Sequence, residues 1–345
     1  MDSFEYKKST IKYTVVGQPN ENALVMIHGT QTCGSHCFGN VYNTLCNSYQ
    51  LFVLETPGFG ISGFPIHDFK DVFEEYSLII KTLITTVINK QSVHLLGHSF
   101  GGILCVHFSS QYPSYVKSLV LTSLPGILPI MNNYGYLWGM YFKYYPLQKS
   151  LSCIRPLVMS LAESFSKNVT FWNAISSGDC IGPDILASQF CIDKKSCYWR
   201  KPILHKLLSL QVPLSFIWGE DDCIISYHQA VFTLKLFDSD DIPLYVIRNV
   251  GHNPFREMSE KMGSKIIYLS IKNAALAGPL SQNVAETIKD ENFEWAKTSL
   301  SFSKNETVTN NLYEFLGTKA KSTKNGNIIF ICERKRVNLK KKRGL

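Results

Sequence analysis

Ser99 stands in the pentapeptide Gly97-His98-Ser99-Phe100-Gly101, directly after the apolar run Val93-His94-Leu95-Leu96 and before Ile103-Leu104-Cys105-Val106. A serine flanked by glycines, preceded by a strand-like run and followed by a helix-like one, sits at the apex of a sharp turn with its hydroxyl clear of the backbone. Such a hydroxyl is a weak nucleophile at neutral pH until a base takes its proton and a third group orients that base. The chain holds nine histidines. In a turn of this kind the partners follow in the order serine, acid, histidine, on loops after later strands. The run 214–218 ends in Gly219-Glu220-Asp221-Asp222, which puts carboxylates at the end of a strand. Asp222 is the expected acid, with Asp221 as the alternative. The segment after 119–121 reads Thr122-Ser123-Leu124-Pro125 and offers no carboxylate. Of the two histidines beyond Asp222, His228 falls in a helical stretch through 236, whereas His252 follows the run 244–247 through Asn249-Val250-Gly251. His252 is therefore the expected base. His94, His98, His107 and the others are expected to be structural.

A serine, histidine and aspartate in these roles carry out acyl transfer through a covalent intermediate, whose oxyanion needs preorganised donors. Two backbone amides are the expected donors. Phe100 opens the helix after the nucleophile, and Thr30 follows the strand 23–27 and the pair His28-Gly29, with Gln31 as its substitute if the loop turns differently. The stretch from Tyr134 to Pro146 is dense in rings, and Tyr134, Tyr136, Trp138, Tyr141 and Phe142 are expected to line an apolar substrate pocket. Packing of the same rings against the core is the competing reading.

The elements that must position these residues read as follows. Residues 4–9 and 11–16 form two early strands or a hairpin. Short, continuously apolar runs follow at 23–27, 51–54, 93–96, 119–121, 214–218 and 244–247, the pattern of parallel strands covered on both faces. Between the second and third lies a 3.6-residue stripe from Phe69 to Val87, with Asp68 at its start and Asn89 near its end, which predicts an amphipathic helix. Alternating strands and helices imply an α/β fold with a mostly parallel twisted sheet and helices on both faces, its chemistry gathered at the carboxyl ends of the strands. More than 90 residues separate Leu121 from Leu214, too many for one crossover. The expected organisation is a core over 1–124, an inserted helical cap over 125–210, a second part of the core over 211–279, and an extension over 280–345. Residues 256–277 predict a helix stopped by Gly278-Pro279, and 327–332 a strand.

Taken together, His28-Gly29, Glu55-Thr56-Pro57-Gly58-Phe59-Gly60-Ile61-Ser62, Gly97 to Gly102, Trp218 to Asp222 and Gly251-His252 resemble the α/β-hydrolase superfamily in motif order and spacing over roughly residues 10–275. The resemblance implies the α/β-hydrolase fold and a serine hydrolase with no cofactor. Ser99 separates the chain from the haloalkane dehalogenase and epoxide hydrolase branches, whose nucleophile is aspartate. The elbow and the sequel from Tyr112 to Leu121 look most like the lysophospholipase and lipase-like branch. Glu55 stands where many members carry aspartate, and the loop after Gly29 lacks the extra glycines that accompany crowded alcohols. Some relatives carry an H-x4-D acyltransferase motif; here Glu257 stands at that distance from His252, so transfer to a lysolipid is not expected. Hydrolysis of carboxylic esters with an apolar acyl or lipid portion is the leading expectation. Hydrolysis of a C–C bond on the same residues, or a binding module without catalysis, are the alternatives.

Composition narrows the partners. At 45% hydrophobic and 18% charged, the chain can bury a full core. Much of its formal net charge of +8 lies in Arg334, Lys335, Arg336, Lys340, Lys341, Lys342 and Arg343, so the basic end argues for a weak contact with an anionic membrane or other polyanion, not for a nucleic-acid-binding body. The first residues carry acids and no apolar segment of signal-peptide length, and apolar runs break before membrane-span length. A cytoplasmic protein with peripheral membrane association is the expectation. Ten cysteines at irregular spacing read as reduced thiols. No paired zinc-type spacing occurs among them, so metal binding is not expected.

Overall fold

The first two strands meet at Lys7 and Lys8, both at positive φ (44° and 64°). That backbone twist suits a two-residue hairpin turn, and it joins β1 (Asp2–Tyr6) to β2 (Ser9–Val16) in antiparallel register. The computed structural model describes residues 1–30, 33–59, 61–63, 72–127, 190–192, 197–199, 203–237, 242–279 and 328–331. Through these the chain runs β3 (Ala23–Ile27), α1 (Gly34–Phe38), α2 (Tyr42–Leu45), β4 (Gln50–Leu54), α3 (Val72–Thr82), β5 (Val93–His98), α4 (Phe100–Gln111) and β6 (Val116–Thr122). A separate antiparallel pair, β7 (Phe190–Ile192) and β8 (Cys197–Trp199), is followed by α5 (Leu204–Leu208), β9 (Leu214–Gly219), α6 (His228–Leu236), β10 (Leu244–Ile247), α7 (Pro254–Glu257), α8 (Glu260–Ala277) and β11 (Ile328–Ile331).

Nine strands form one sheet in the order β1-β2-β4-β3-β5-β6-β9-β10-β11. The pairings β1–β2 and β2–β4 are antiparallel, and every other pairing is parallel. The alternation of side chains along each strand explains why the central runs are mostly apolar at successive positions. In β3, Val25 and Ile27 face the side covered by α3, α4, α5 and α6, while Leu24 and Met26 face the side covered by α1, α2 and α8. Leu119 and Leu121 divide from Val120 in the same way, as do Phe216 and Trp218 from Ile217. With both faces buried, a polar side chain at either alternate position costs free energy unless it finds a partner, as His94 and Ser118 find each other at 2.8 Å. Full burial of one such Leu or Phe side chain is worth about 1.5–3 kcal/mol.

Helix α8 shows how a small-residue stripe sets packing distance. Its buried residues Gly263, Ser264, Ile266, Ile267, Ser270, Ile271 and Ala274 recur at helical spacing. Ser264 Oγ donates to the carbonyl of Val41 at 3.1 Å. The amphipathic helix expected over 69–89 is observed as α3 continued by a π-helical segment, Leu83–Ile88, and closed by Asn89 in the left-handed region. Its expected opening at Asp68 and Phe69 lies outside the described residues.

One sequence expectation changes. The helix expected over 256–277 is broken into α7 and α8, because Met258 and Ser259 are extended. Ile203, Leu204, Leu207, Leu208 and Leu210, within the span expected for the insertion, pack in the same apolar core as the strands. Within the expected extension, the strand expected over 327–332 is observed as β11, which pairs in parallel with β10 and adds a strand to the sheet. Among the described residues no helix is long and apolar enough to cross a membrane. The rings Tyr134, Tyr136, Trp138, Tyr141 and Phe142, the alternative donor Gln31 and the basic residues 334–343 lie outside the described residues.

Candidate active site

Ser99 is the single residue between the end of β5 and the start of α4, at φ 52° and ψ −121°. A non-glycine residue held there costs on the order of 1–3 kcal/mol and persists only where its surroundings over-determine it. They do so here. The Ser99 amide donates to the carbonyl of Thr122 at 2.9 Å, and the Ser99 carbonyl accepts from the amide of Gly102 at 2.9 Å. Phe100 anchors the helix start among Phe59, Tyr76 and Phe73, with ring centroids 4.9, 5.9 and 6.2 Å away. A Cβ at position 101 would lie 2.1 Å from the carbonyl oxygen of Ile27, so only glycine lets α4 press onto the end of β3.

The acid and the base arrive on two loops joined through their main chains. After β9, the amide of Glu220 donates to the carbonyl of Ile247 at 2.8 Å and that of Asp221 to the carbonyl of Val250 at 2.9 Å. The loops come so close at Gly219 that an added Cβ would meet the carbonyl oxygens of Gly251 and Val250 at 2.1 and 2.3 Å. Asp222, not Asp221, turns its carboxylate to the site. Its Oδ1 accepts the amides of Ile224 (3.0 Å) and Ile225 (2.8 Å), and the Ile225 carbonyl is held by the indole N–H of buried Trp218 at 2.7 Å.

These supports bring the three expected side chains together. His252 Nδ1 lies 2.9 and 3.1 Å from the two oxygens of Asp222, and its Nε2 lies 3.1 Å from Ser99 Oγ. With Nδ1–H donated to the carboxylate, Nε2 is left as the acceptor of the serine proton. Ser99 is 8% exposed and Asp222 5%, so the line is largely dry. Gly29 carries the loop after β3 over the elbow: a Cβ on it would fall 2.9 Å from Ser99 Cβ. Thr30 follows directly, half-buried, and Phe100 opens α4 beside the nucleophile.

Behind this line lies a layer of buried histidines. His28 donates from Nδ1 to the carbonyl of Gly29 (2.8 Å) and accepts the amide of Thr56 at Nε2 (2.8 Å). Both ring nitrogens are thereby used by the neutral form, and burial lowers the pKa to about 4. The carboxylate of Glu55, 3.6 Å from Nε2, therefore forms no ion pair with it. Instead Glu55 accepts the amide of Gly34 at 3.0 and 3.1 Å. Its own pKa is raised by burial, partly offset by that bond. His94 bonds Ser118 Oγ at 2.8 Å and meets Tyr49 edge-on, and burial lowers its pKa to about 4.

From sequence, His98 is expected only as a structural neighbour of the nucleophile. Its Nε2–H donates to the main-chain carbonyl of His252 at 2.8 Å, while Nδ1 accepts from the thiol of Cys37 at 3.3 Å. Burial lowers its pKa to about 3. Another contact missed in the sequence is that of Glu257, whose carboxylate accepts the amides of Gly251 (2.7 Å) and Asn253 (3.3 Å). The spacing of Glu257 from His252 was visible, but its target is main chain, which carries no residue-type signature.

A largely parallel sheet covered on both faces, with a strained serine between β5 and α4 and late loops carrying acid and histidine, defines the α/β-hydrolase class. A family model described as the alpha/beta hydrolase fold matches residues 22–257, and the chain belongs to that family. Among curated relatives it is 22% identical to abhydrolase domain-containing protein abhd-5.2 of Caenorhabditis elegans, over 71% of this chain and 58% of that protein. The chain thus spans less than two thirds of that relative's length. It is 26% identical to monoacylglycerol lipase abhd6-B of Xenopus laevis, over 72% of this chain and 75% of that protein. Among solved structures it superposes on a bacterial membrane phospholipase A with a TM-score of 0.59 at 18% identity, covering 79% of this chain and 86% of that one. That likeness is one of fold.

Proposed function

We propose that the chain is a serine hydrolase of carboxylic esters whose acyl or alcohol portion is apolar, and that Ser99, His252 and Asp222 are its catalytic residues. The observation that carries this reading is the position of His252, which spans Ser99 Oγ at 3.1 Å and the Asp222 carboxylate at 2.9 Å. His252 Nε2 takes the Ser99 proton as Oγ attacks the ester carbonyl, and Asp222 stabilises the imidazolium that forms. The oxyanion is held by the main-chain amides of Phe100 and Thr30, a role in which each donor is worth on the order of 100- to 1000-fold in rate. Collapse of the tetrahedral intermediate breaks the ester C–O bond, and the proton on His252 leaves with the alcohol. An acyl-Ser99 remains. Water, activated by the same nitrogen, then releases the acid and restores Ser99.

The lipid character of the substrate rests on kinship with a relative named as a monoacylglycerol lipase, and the rings of the 134–142 stretch are its proposed pocket. The basic run 334–343 is proposed to contact anionic membranes, at about 1 kcal/mol per basic residue near the surface. Salt-sensitive co-sedimentation with anionic vesicles tests that contact, and binding that ignores salt counts against it. For the chemistry, a fluorophosphonate probe is expected to label the wild type and spare Ser99→Ala. p-Nitrophenyl esters from acetate to palmitate, beside monoacylglycerol and lysophospholipid, then give the chain length. A folded wild type that takes no label and cleaves none of these esters overturns the reading.

A further inference from the structure

His252 sits where the ladder of β10 has ended. Strand pairing stops at Ile247, Asn249 takes a positive φ of 58°, and the main-chain groups of 251–253 have no strand to satisfy them. The side chain of His252 keeps 17% of its exposure, so packing alone does not hold the ring. Two side chains take up this main chain, one from helix α7 and one from the end of β5. From one side, Glu257 accepts the amides of Gly251 and Asn253, at 2.7 and 3.3 Å. From the other, His98 donates Nε2–H to the carbonyl of His252 at 2.8 Å, its ring held by the thiol of Cys37. The residue carrying the base is thus gripped by an acceptor pair and a donor.

The Glu257 contact is the informative one. Glu257 is solvent-exposed, where a glutamate gains most by extending into water, yet both of its oxygens turn back onto the two amides flanking His252. Position 251 makes room for it: a Cβ there would meet the carboxylate oxygens at 3.1 and 3.3 Å. Bonds from amides to an ionised carboxylate are roughly twice as strong as neutral ones. Glu257 itself is anchored from below, because its amide donates to the carbonyl of Asn253 (3.2 Å) and Phe255, beside it in α7, is buried 5.7 Å from the ring of Phe38.

We propose that Glu257 is a positioning residue for the catalytic base: it sets the direction in which His252 presents Nε2 to Ser99 by holding the main chain on either side of it, with His98 as the opposing contact. This rests on the function proposed above. A displacement of about 1 Å at a reacting group costs on the order of 100-fold in rate, so loss of the grip shows in kcat and not in substrate affinity.

The test compares Glu257→Ala, Glu257→Gln and, as a control, Glu260→Ala, which removes a neighbouring carboxylate that instead bonds Thr44 Oγ1. Turnover is normalised to sites titrated with the fluorophosphonate. Glu257→Ala is expected to lower kcat roughly 10- to 100-fold with KM within about twofold. Glu257→Gln, which keeps a carbonyl oxygen for the Gly251 amide, recovers most of that loss, and Glu260→Ala matches the wild type. The second readout is the downfield NMR resonance of His252 Nδ1–H on Asp222, expected to shift or broaden in Glu257→Ala alone. A kcat per titrated site within about twofold of wild type, a loss confined to KM, or an unchanged resonance in Glu257→Ala overturns the proposal. If the wild type neither hydrolyses esters nor takes the probe, the functional reading fails by itself, and the resonance in wild type and Glu257→Ala still decides whether Glu257 positions His252.

Discussion

Lowering the pH from 8 to 5 is expected to strip about 6 kcal/mol from the folding stability of this protein, through three histidines that are buried uncharged. His28 and His94 have their pKa lowered to about 4 and His98 to about 3, in each case chiefly by burial. The unfolded chain binds a proton at each of these sites near pH 6.5. Below that value the unfolded state holds more protons than the folded one, so stability falls with falling pH, and the loss levels off only as the folded values are passed. At pH 5 each site contributes about 2 kcal/mol of loss, from one pKa unit being worth about 1.4 kcal/mol. The sum is comparable to the whole stability of an ordinary domain, about 5–15 kcal/mol. Glu55 acts with the opposite sign, because its pKa is raised and its protonation as pH falls relieves a buried charge. Urea unfolding at both pH values and constant ionic strength measures the effect. His94→Gln, remote from Ser99, is expected to remove about one third of the pH dependence. Equal midpoints at pH 8 and pH 5, or an imidazole titrating near 6.5 in the folded protein at these three positions, would refute the reasoning.

Asp222→Asn keeps the shape of the acid but presents the wrong hydrogen-bonding group to His252, and is expected to lower kcat by about 10⁴-fold with the fold intact by circular dichroism. Gly219→Ala puts a methyl group 2.1 Å from the Gly251 carbonyl oxygen; a destabilisation of about 1–3 kcal/mol is expected in urea melts, with a fall in turnover because the His252 loop must move. Tyr6→Phe removes the bond from the Tyr6 hydroxyl to Glu75 at 2.6 Å, and should cost about 1 kcal/mol without changing turnover.

The interior strands were legible because each is largely apolar on both faces, and β3 and β10 coincide with their apolar runs. Strands reached further than their runs where they approach the site. β5 continues through Gly97 and His98, and β9 through Gly219, since residues chosen for close approach and hydrogen bonding interrupt the apolar pattern there. The partnership of Ser99 with Asp222 and His252 was legible from order along the chain, because the fold leaves few loops on which an acid and a base can stand. The supporting contacts were not. His98 and Glu257 act on main-chain atoms of residues 154 and up to 6 positions away, and an amide or carbonyl offers the same partner whatever its side chain. The pairing of β11 with β10 joins residues far apart in sequence, and a four-residue apolar run does not announce which edge it will join. The break between α7 and α8 lies at Ser259, the N-cap residue of α8, a residue type favoured at helix starts, whose signal the apolar periodicity of 256–277 masks.

The joining of the acid loop to the base loop bears on how substitution data for this protein are to be read. The Glu220 and Asp221 amides and the Ile247 and Val250 carbonyls survive every ordinary side-chain exchange except proline at the donor positions. An alanine scan across 220, 221, 247 and 250 therefore leaves all of these bonds in place, and silent positions there do not mean that the segment is idle. Replacing the Asp221 amide by an ester linkage, which removes the donor and leaves the side chain, reaches what the genetic alphabet cannot.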